Sequence, residues 1–329
     1  MTELLDIVSA RLDGLITYAA LRELGLSSHG VDSLIRRGEL VRTRRGVYVP
    51  GELWRAADPD QRYRLFVLST ALAAGRPLVL SHGSAAVMHG LPLIGAWPRM
   101  VHVIDPDASG GSTARFTTSH RGAPAPEPVH VDGIAVTSLA RTLVDVAAST
   151  RFLVGVTMID HALRVEQKRV EGEARRGIRG RRALTREDLF AELAAVNPRA
   201  GARLAERAIA FGNGLSANAG ESLSRVRMFQ LGFEVPELQV CFPDVDGQDY
   251  WVDFYWRRIR KIGEFDGKHK HTRGAVLGDR DPGEVVWQEK RREDALRHHS
   301  DSFDRWDWDT AISPQRFHRF LAEHGVPRT

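Results

Sequence analysis

The residues best suited to chemistry lie in one stretch near the C-terminus, VDFYWRRIRKIGEFDGKHKH, from Val252 to His271. Asp253, Glu264 and Asp266 are acids in strand-prone surroundings, and Lys268, His269, Lys270 and His271 follow at once. Strand side chains alternate between faces, so Glu264 and Asp266 point the same way if the strand persists to Asp266. Asp253 belongs to a preceding strand that pairs antiparallel across a short turn, which lets the three carboxylates converge at one sheet end. Carboxylates a few ångströms apart raise one another's pKa, so such a cluster needs a cation. Oxygen-only ligands, in a chain with one cysteine, suit Mg²⁺ or Mn²⁺ rather than zinc. A divalent ion activating water, with a lysine stabilising charge at phosphorus, is the minimal apparatus for phosphodiester hydrolysis. Lysine usage points to the same place. Only five of the 46 basic residues are lysines, and Lys261, Lys268, Lys270 and Lys290 fall within thirty residues of one another. A compact ammonium suits this chemistry better than a planar guanidinium.

The elements that must position these groups can be read around them. A helix is expected over residues 218–231, with Glu221 near its start. Strands follow over 238–242, 250–256 and 259–265, then a helix over 284–298, a strand over 305–308 and a closing helix over 314–324. That α-β-β-β-α-β order describes an α/β layer with an antiparallel meander and a crossover helix. Pro243-Asp244 precedes Asp246-Gly247 and reads as a hairpin turn, which leaves Asp253 the better candidate acid. Trp306 and Trp308 alternate onto one strand face and read as core rather than as platforms for bases.

This stretch resembles the PD-(D/E)xK nuclease superfamily, most closely the compact branch shared by very-short-patch-repair-like endonucleases and DUF559 proteins. The resemblance covers about 115 residues, from Gly220-Glu221-Ser222 to the last helix. It implies that Asp253 takes the place of the first motif aspartate and that Glu264 and Asp266 form the second acidic motif. Glu221 matches the helix glutamate that supports the metal, so Glu221, Asp253, Glu264 and Asp266 are the implied ligands of Mg²⁺ or Mn²⁺. Lys270 falls where DUF559 proteins usually carry a histidine, and His271 where the repair enzymes place a working histidine. Lys268 satisfies Asp-x-Lys after Asp266, so the active lysine is either Lys268 or Lys270. The resemblance implies a metal-dependent endonuclease. The alternative is an inactive nuclease fold that grips DNA or a partner while its carboxylates pair nearby arginines and lysines.

The N-terminal fifty residues carry a different signal. Leu4, Leu5, Val8 and Leu12 recur at helical spacing until Gly14. Thr17 caps a second helix that Gly25 closes, and Ser27 or Ser28 caps a third that ends before Gly38. Helix, glycine-containing turn, helix is the layout that sets a second helix into a major groove. Leu40 to Val49 then form two β-rich runs around an Arg-Gly turn, a wing with three arginines. Ser28, His29, Asp32, Ser33 and Arg36 would face the groove, while Arg42, Arg44 and Arg45 would meet phosphate or the minor groove. The segment from Gly14 to Tyr48 resembles the winged helix of AbiEi-type antitoxins, in which the module represses its own operon. Double-stranded DNA and a cognate toxin are the partners this implies.

Between these ends little chemistry is visible. Ser81-His82-Gly83-Ser84 lacks the strained Gly-x-Ser-x-Gly elbow of a nucleophile and reads as a helix cap. His82, His89, His102, His120 and His130 are scattered without zinc-ligand spacing. From Arg164 to Arg182 a helix passes into a basic loop that is either a solvated linker or a phosphate-contacting strip. No apolar run reaches the length of a membrane span, the one cysteine excludes a disulfide framework, and a cytoplasmic protein is expected. The chain is thus expected to be an α+β multidomain protein. Residues 1–54 form a winged helix-turn-helix, 55–150 a mixed α/β middle domain, 151–213 a helical connector with a basic loop, and 214–329 a restriction-endonuclease-like αβββαβ domain.

Overall fold

The computed structural model describes residues 14–108, 112–113, 116–122, 127–178, 180, 182–245, 247–267 and 291–329. The apolar repeat over residues 4–12 and the Lys268, Lys270 and His271 positions therefore lie outside the described residues. Compactness divides the chain into two units, Met1–Gly155 with Glu187–Arg207, and Val156–Arg186 with Ala208–Thr329.

The first unit opens with β1 (Ile16–Thr17), α1 (Tyr18–Glu23), α2 (Ser28–Arg36), β2 (Leu40–Arg44) and β3 (Val47–Pro50). The hydroxyl of Thr17 accepts from the backbone N–H of Ala20, and that of Ser27 from Gly30, so each helix starts on a capped donor. Gly25 ends the first of these helices at φ 81°, a conformation open to glycine at no steric cost. The strands form a three-stranded sheet in the order β1-β3-β2. Ile16, Leu21, Val31, Leu34, Leu40 and Tyr48 make its core.

The same unit continues through α3 (Gly51–Ala56), α4 (Pro59–Leu72), β4 (Val79–Leu80), α5 (His82–Met88), β5 (Val101–Asp105), β6 (Ser112–Thr113), β7 (Thr117–Arg121), β8 (Val129–Val131), β9 (Ile134–Val136) and α6 (Leu139–Ser149). Its six strands run in the order β6-β7-β5-β4-β9-β8. Leu15, Val47 and Val49 share one buried cluster with Tyr63, Leu65, Val67, Leu80, Val101 and Val136. The back of the wing is therefore continuous with the core of the six-stranded layer. α7 (Phe152–Arg175), α8 (Arg186–Val196) and α9 (Ala202–Phe211) follow.

In the second unit α10 (Ala219–Gln230) precedes β10 (Glu237–Val245), β11 (Gln248–Trp256), β12 (Lys261–Asp266), a helical segment at 291–297, β13 (Ser302–Asp307), α11 (Trp308–Ile312) and α12 (Pro314–Glu323). The sheet order is β10-β11-β12-β13; β10, β11 and β12 pair antiparallel, and β13 lies parallel to β12. Parallel neighbours need a crossover, and the 291–297 helix lies on it. Gly220 lets α10 approach the sheet, since a Cβ there would sit 2.0 Å from the Phe265 ring. Trp306 is buried, stacks on Phe254 and donates its indole N–H to Ser224 Oγ at 2.8 Å. The strand stops one residue before Trp308, because the Asp307 carboxylate accepts from Thr310 N and starts α11. β10 runs on to Val245, so Pro243 and Asp244 belong to an irregular strand end rather than to the turn.

Candidate functional sites

The winged helix presents two surfaces. On α2, Ser28, His29, Asp32 and Arg36 are exposed, while Val31 and Leu34 face inward. Ser33 is half-buried and accepts from Arg37 at 2.7 Å, and Arg37 also pairs with Glu39. On the wing, Arg42 and Arg45 are exposed and Gly46 turns the chain at φ 75°.

Arg44 departs from the sequence expectation. The register of β2 against β3 shifts between Arg42 and Arg44, and the shift rotates Arg44 to the opposite side from Arg42. Its guanidinium is buried, 3.6 Å from the centre of the Phe66 ring and 4.1 Å from that of Phe116. Nε donates to Thr70 Oγ1 at 2.7 Å, and burial lowers the pKa to about 10. It is an anchor of the wing, not a surface contact for phosphate.

The acidic positions form a row across the second sheet. The registers of the four strands put Gln239, Asp253, Glu264 and Arg305 at successive positions along it. Gln239 has φ 50°, and Val252 shares a buried cluster with Tyr255 rather than alternating away from it. The β10–β11 register stays in step past Asp253 and shifts only between Phe242 and Val245. Glu221 reaches the row from the first turn of α10. Gln239 Nε2 donates to Glu221 Oε2 at 3.1 Å and to Asp253 Oδ1 at 3.3 Å, bridging the two acids.

Each carboxylate already has protein donors. Glu221 accepts from Ala217 N at 2.6 Å and from Asn218 Nδ2 at 2.7 Å, so it also holds the helix start. Asp253 Oδ2 accepts from Phe265 N at 2.9 Å. Glu264 pairs with Arg292 at 2.6 Å and Arg305 at 3.2 Å. Burial, and then the charge of Asp253, push Glu221 up to about 7. Burial also raises Glu264, against the opposing pull of Arg292 and Arg305. Asp266 is exposed at the strand end, opposite Asp307 in the register.

The oxygen-only donor set has the chemistry that Mg²⁺ or Mn²⁺ prefers, but its arrangement does not fit such an ion. Among the described residues no three His, Cys, Asp or Glu side chains converge on a point that a metal could occupy. Guanidiniums engage Glu264, Gln239 stands between Glu221 and Asp253, and Asp266 faces solvent.

Several participants were not evident from sequence. Gln239, Arg292 and Arg305 join the row only through pairing and a crossover. Lys261 turns away from it: it is buried and bonded to Asp304 and Ser302. In the first unit His82, His102 and His120 meet although they are far apart in the chain. On α7, Arg169 is held by Glu166 and Glu173 at 2.9 Å each, which neutralises part of the basic strip. No helix among the described residues is long and apolar enough to cross a membrane.

Residues 3–51 match the family model described as "Transcriptional regulator, AbiEi antitoxin". Two Mycobacterium tuberculosis proteins, "Uncharacterized protein MT2308" of strain CDC 1551 / Oshkosh and "Uncharacterized protein Rv2248" of strain ATCC 25618 / H37Rv, are each 26% identical over 255 residues. Those matches cover 75% of this chain and 81% of each relative. The crystal structure of RV2827C protein from Mycobacterium tuberculosis is similar with a TM-score of 0.37 and 18% identity, over 66% of this chain and 78% of that one.

Proposed function

We propose that this protein is a DNA-binding transcriptional regulator of the antitoxin type. It reads double-stranded DNA through α2 and the wing, and its second unit serves binding to DNA or to a cognate toxin rather than catalysis. The observation that carries the reading is the antitoxin-regulator match over residues 3–51, on a segment whose recognition face is exposed. Ser28, His29, Asp32 and Arg36 face the groove, and Arg42 and Arg45 contact the backbone or the minor groove. The acidic row then has a structural role, with Arg292 and Arg305 neutralising Glu264.

A second reading, a Mg²⁺-dependent endonuclease, has one observation in its favour. Glu221, Asp253 and Glu264 lie close enough for the Asp253 charge to raise both glutamates. One set of assays separates the two. Gel shifts over a salt series should show a steep negative slope that Arg36→Ala and Arg45→Ala each reduce. Cleavage is scored in parallel on single- and double-stranded DNA and RNA, with Mg²⁺, Mn²⁺ or EDTA. Metal-dependent cleavage lost in both Asp253→Ala and Glu264→Ala would establish the enzyme. Shifts with no cleavage under any condition support the regulator. Binding without a salt slope removes the DNA reading.

A further inference from the structure

Exposed cations of the second unit fall into two kinds. Arg257, Arg258, Arg260 and Arg297 each lie against a carboxylate, that of Glu237, Glu234, Asp301 and Glu293 in turn. The C-terminal half of α7 differs. Arg164 is half-buried there and donates to Leu215 O at 2.8 Å, and Arg169 is held by Glu166 and Glu173. Lys168, Arg175 and Arg176 are exposed, and among the described residues no carboxylate pairs with any of them. Arg176 donates only to the carbonyl of Gly172, one turn back, at 3.2 Å.

These three cations share one side of the helix. Lys168 and Arg175 are seven residues apart, so they lie on the same face, about 10.5 Å from each other along the axis. Gly172 and Arg176 fall beside them on that face. Gly172 sits inside α7 where a Cβ would meet nothing within 4 Å. A glycine in a helix interior is less stable than alanine, and here no packed neighbour requires one. Its effect is to leave the helix bare between the cations. Glu171, bonded to Gln167 at 2.9 Å, stands at the edge of this face. Cations in the last turn complement the helix dipole, which accounts for Arg175 and Arg176 but not for Lys168, two turns earlier.

We propose that the Lys168, Arg175 and Arg176 face of α7 contacts the phosphate backbone of duplex DNA, a second contact besides that of the winged helix. The inference rests on the DNA-binding reading above and names the surface through which the second unit takes part. Unpaired cations spaced along a rigid helix match a regular polyanion. Their axial spacing of about 10.5 Å equals about three duplex steps of about 3.4 Å, so Lys168 and Arg175 reach different phosphates of one strand. Phosphate contacts carry no sequence information, so this face adds affinity and salt dependence and leaves the preferred sequence to α2.

The test measures binding of the full-length protein to a long mixed-sequence duplex by fluorescence anisotropy over a salt series. The triple variant Lys168→Ala/Arg175→Ala/Arg176→Ala should flatten the slope of log affinity against log salt by about 3, at about 0.9 per phosphate released. The charge-keeping variant Lys168→Arg/Arg175→Lys/Arg176→Lys should retain the wild-type slope. Gly172→Glu sets a carboxylate four residues from both Lys168 and Arg176, in open space, and should flatten the slope by at least about 1. A wild-type slope in the alanine variant or in Gly172→Glu overturns the proposal; the winged-helix reading survives that outcome if Arg36→Ala and Arg45→Ala still reduce the slope. A wild type without salt-dependent binding overturns both. If the alanine variant fails to fold by circular dichroism, Gly172→Glu and the charge-keeping variant decide. Loss of binding to phosphatidylserine vesicles in the alanine variant, with its duplex slope intact, would assign the face to a membrane surface and so overturn the DNA contact.

Discussion

Replacing Arg44 separates an anchor from a DNA contact. In Arg44→Ala the wing loses two aromatic faces under a guanidinium and the hydrogen bond to Thr70. Two desolvated cation–π contacts at about 1 kcal/mol each and a hydrogen bond of about 1 kcal/mol sum to roughly 3 kcal/mol. Against this stands the cost of burying a guanidinium, visible in its lowered pKa. A net loss of about 2 kcal/mol, or about 4–8 °C in Tm for a unit of this size, is the expected outcome. DNA binding should respond differently. Arg45 is exposed at the wing turn, and Arg45→Ala should reduce the slope of log affinity against log salt by about 1. Arg44→Ala, measured at a temperature where it is fully folded, should leave that slope unchanged. Thermal unfolding and salt-dependent fluorescence anisotropy on the same preparations give both numbers. An Arg44→Ala protein with wild-type stability and a reduced slope would refute the burial argument.

Three further outcomes follow from buried polar groups. Asp160 accepts two bonds from Arg225, one from Asn213 N and one from Ser222 Oγ; Asp160→Ala strands Arg225 and should cost the second unit about 3–5 kcal/mol in urea unfolding. In the same unit Glu221 is raised to about 7 from an ordinary 4.5, and Asp160 and Glu264 are raised too. The folded state thus binds the Glu221 proton more tightly: its contribution to stability is complete below pH 4.5 and is lost as pH rises through about 7, a trend that Glu221→Ala should flatten. The His102 ring, which burial lowers, should titrate near pH 4 by NMR, and a midpoint near 6.5 would place it in solvent rather than in the buried histidine cluster.

Local chemistry made much of the framework legible. Thr17, Ser27 and Asn218 each cap the helix expected to start beside them, and the meander around Asp253 has the anticipated order. Those features depend on residues within a few positions of one another. Arg44 was misread because a strand bulge leaves no trace in side-chain alternation: in the sequence Arg42 and Arg44 share parity, and in the structure they part. The histidine group was missed for a related reason, since it exists only through the parallel pairing of β5 with β7.

The acidic row shows most clearly how distant residues change a local inference. Three neighbouring carboxylates, taken alone, demand a cation. The fold supplies two, because the crossover brings Arg292 and Arg305 onto Glu264, and supplies neutral donors from Gln239 and the Phe265 backbone to Asp253. Burial and the neighbouring Asp253 charge raise Glu221, so its ionised form is disfavoured in the row. Part of the negative charge of the row is therefore met by the protein's own groups. A divalent ion would have to share Glu264 with guanidiniums at 2.6 and 3.2 Å, whose positive charge opposes its binding. That competition, invisible in EFDGKHKH, is the physical reason the regulator reading outweighs the endonuclease reading.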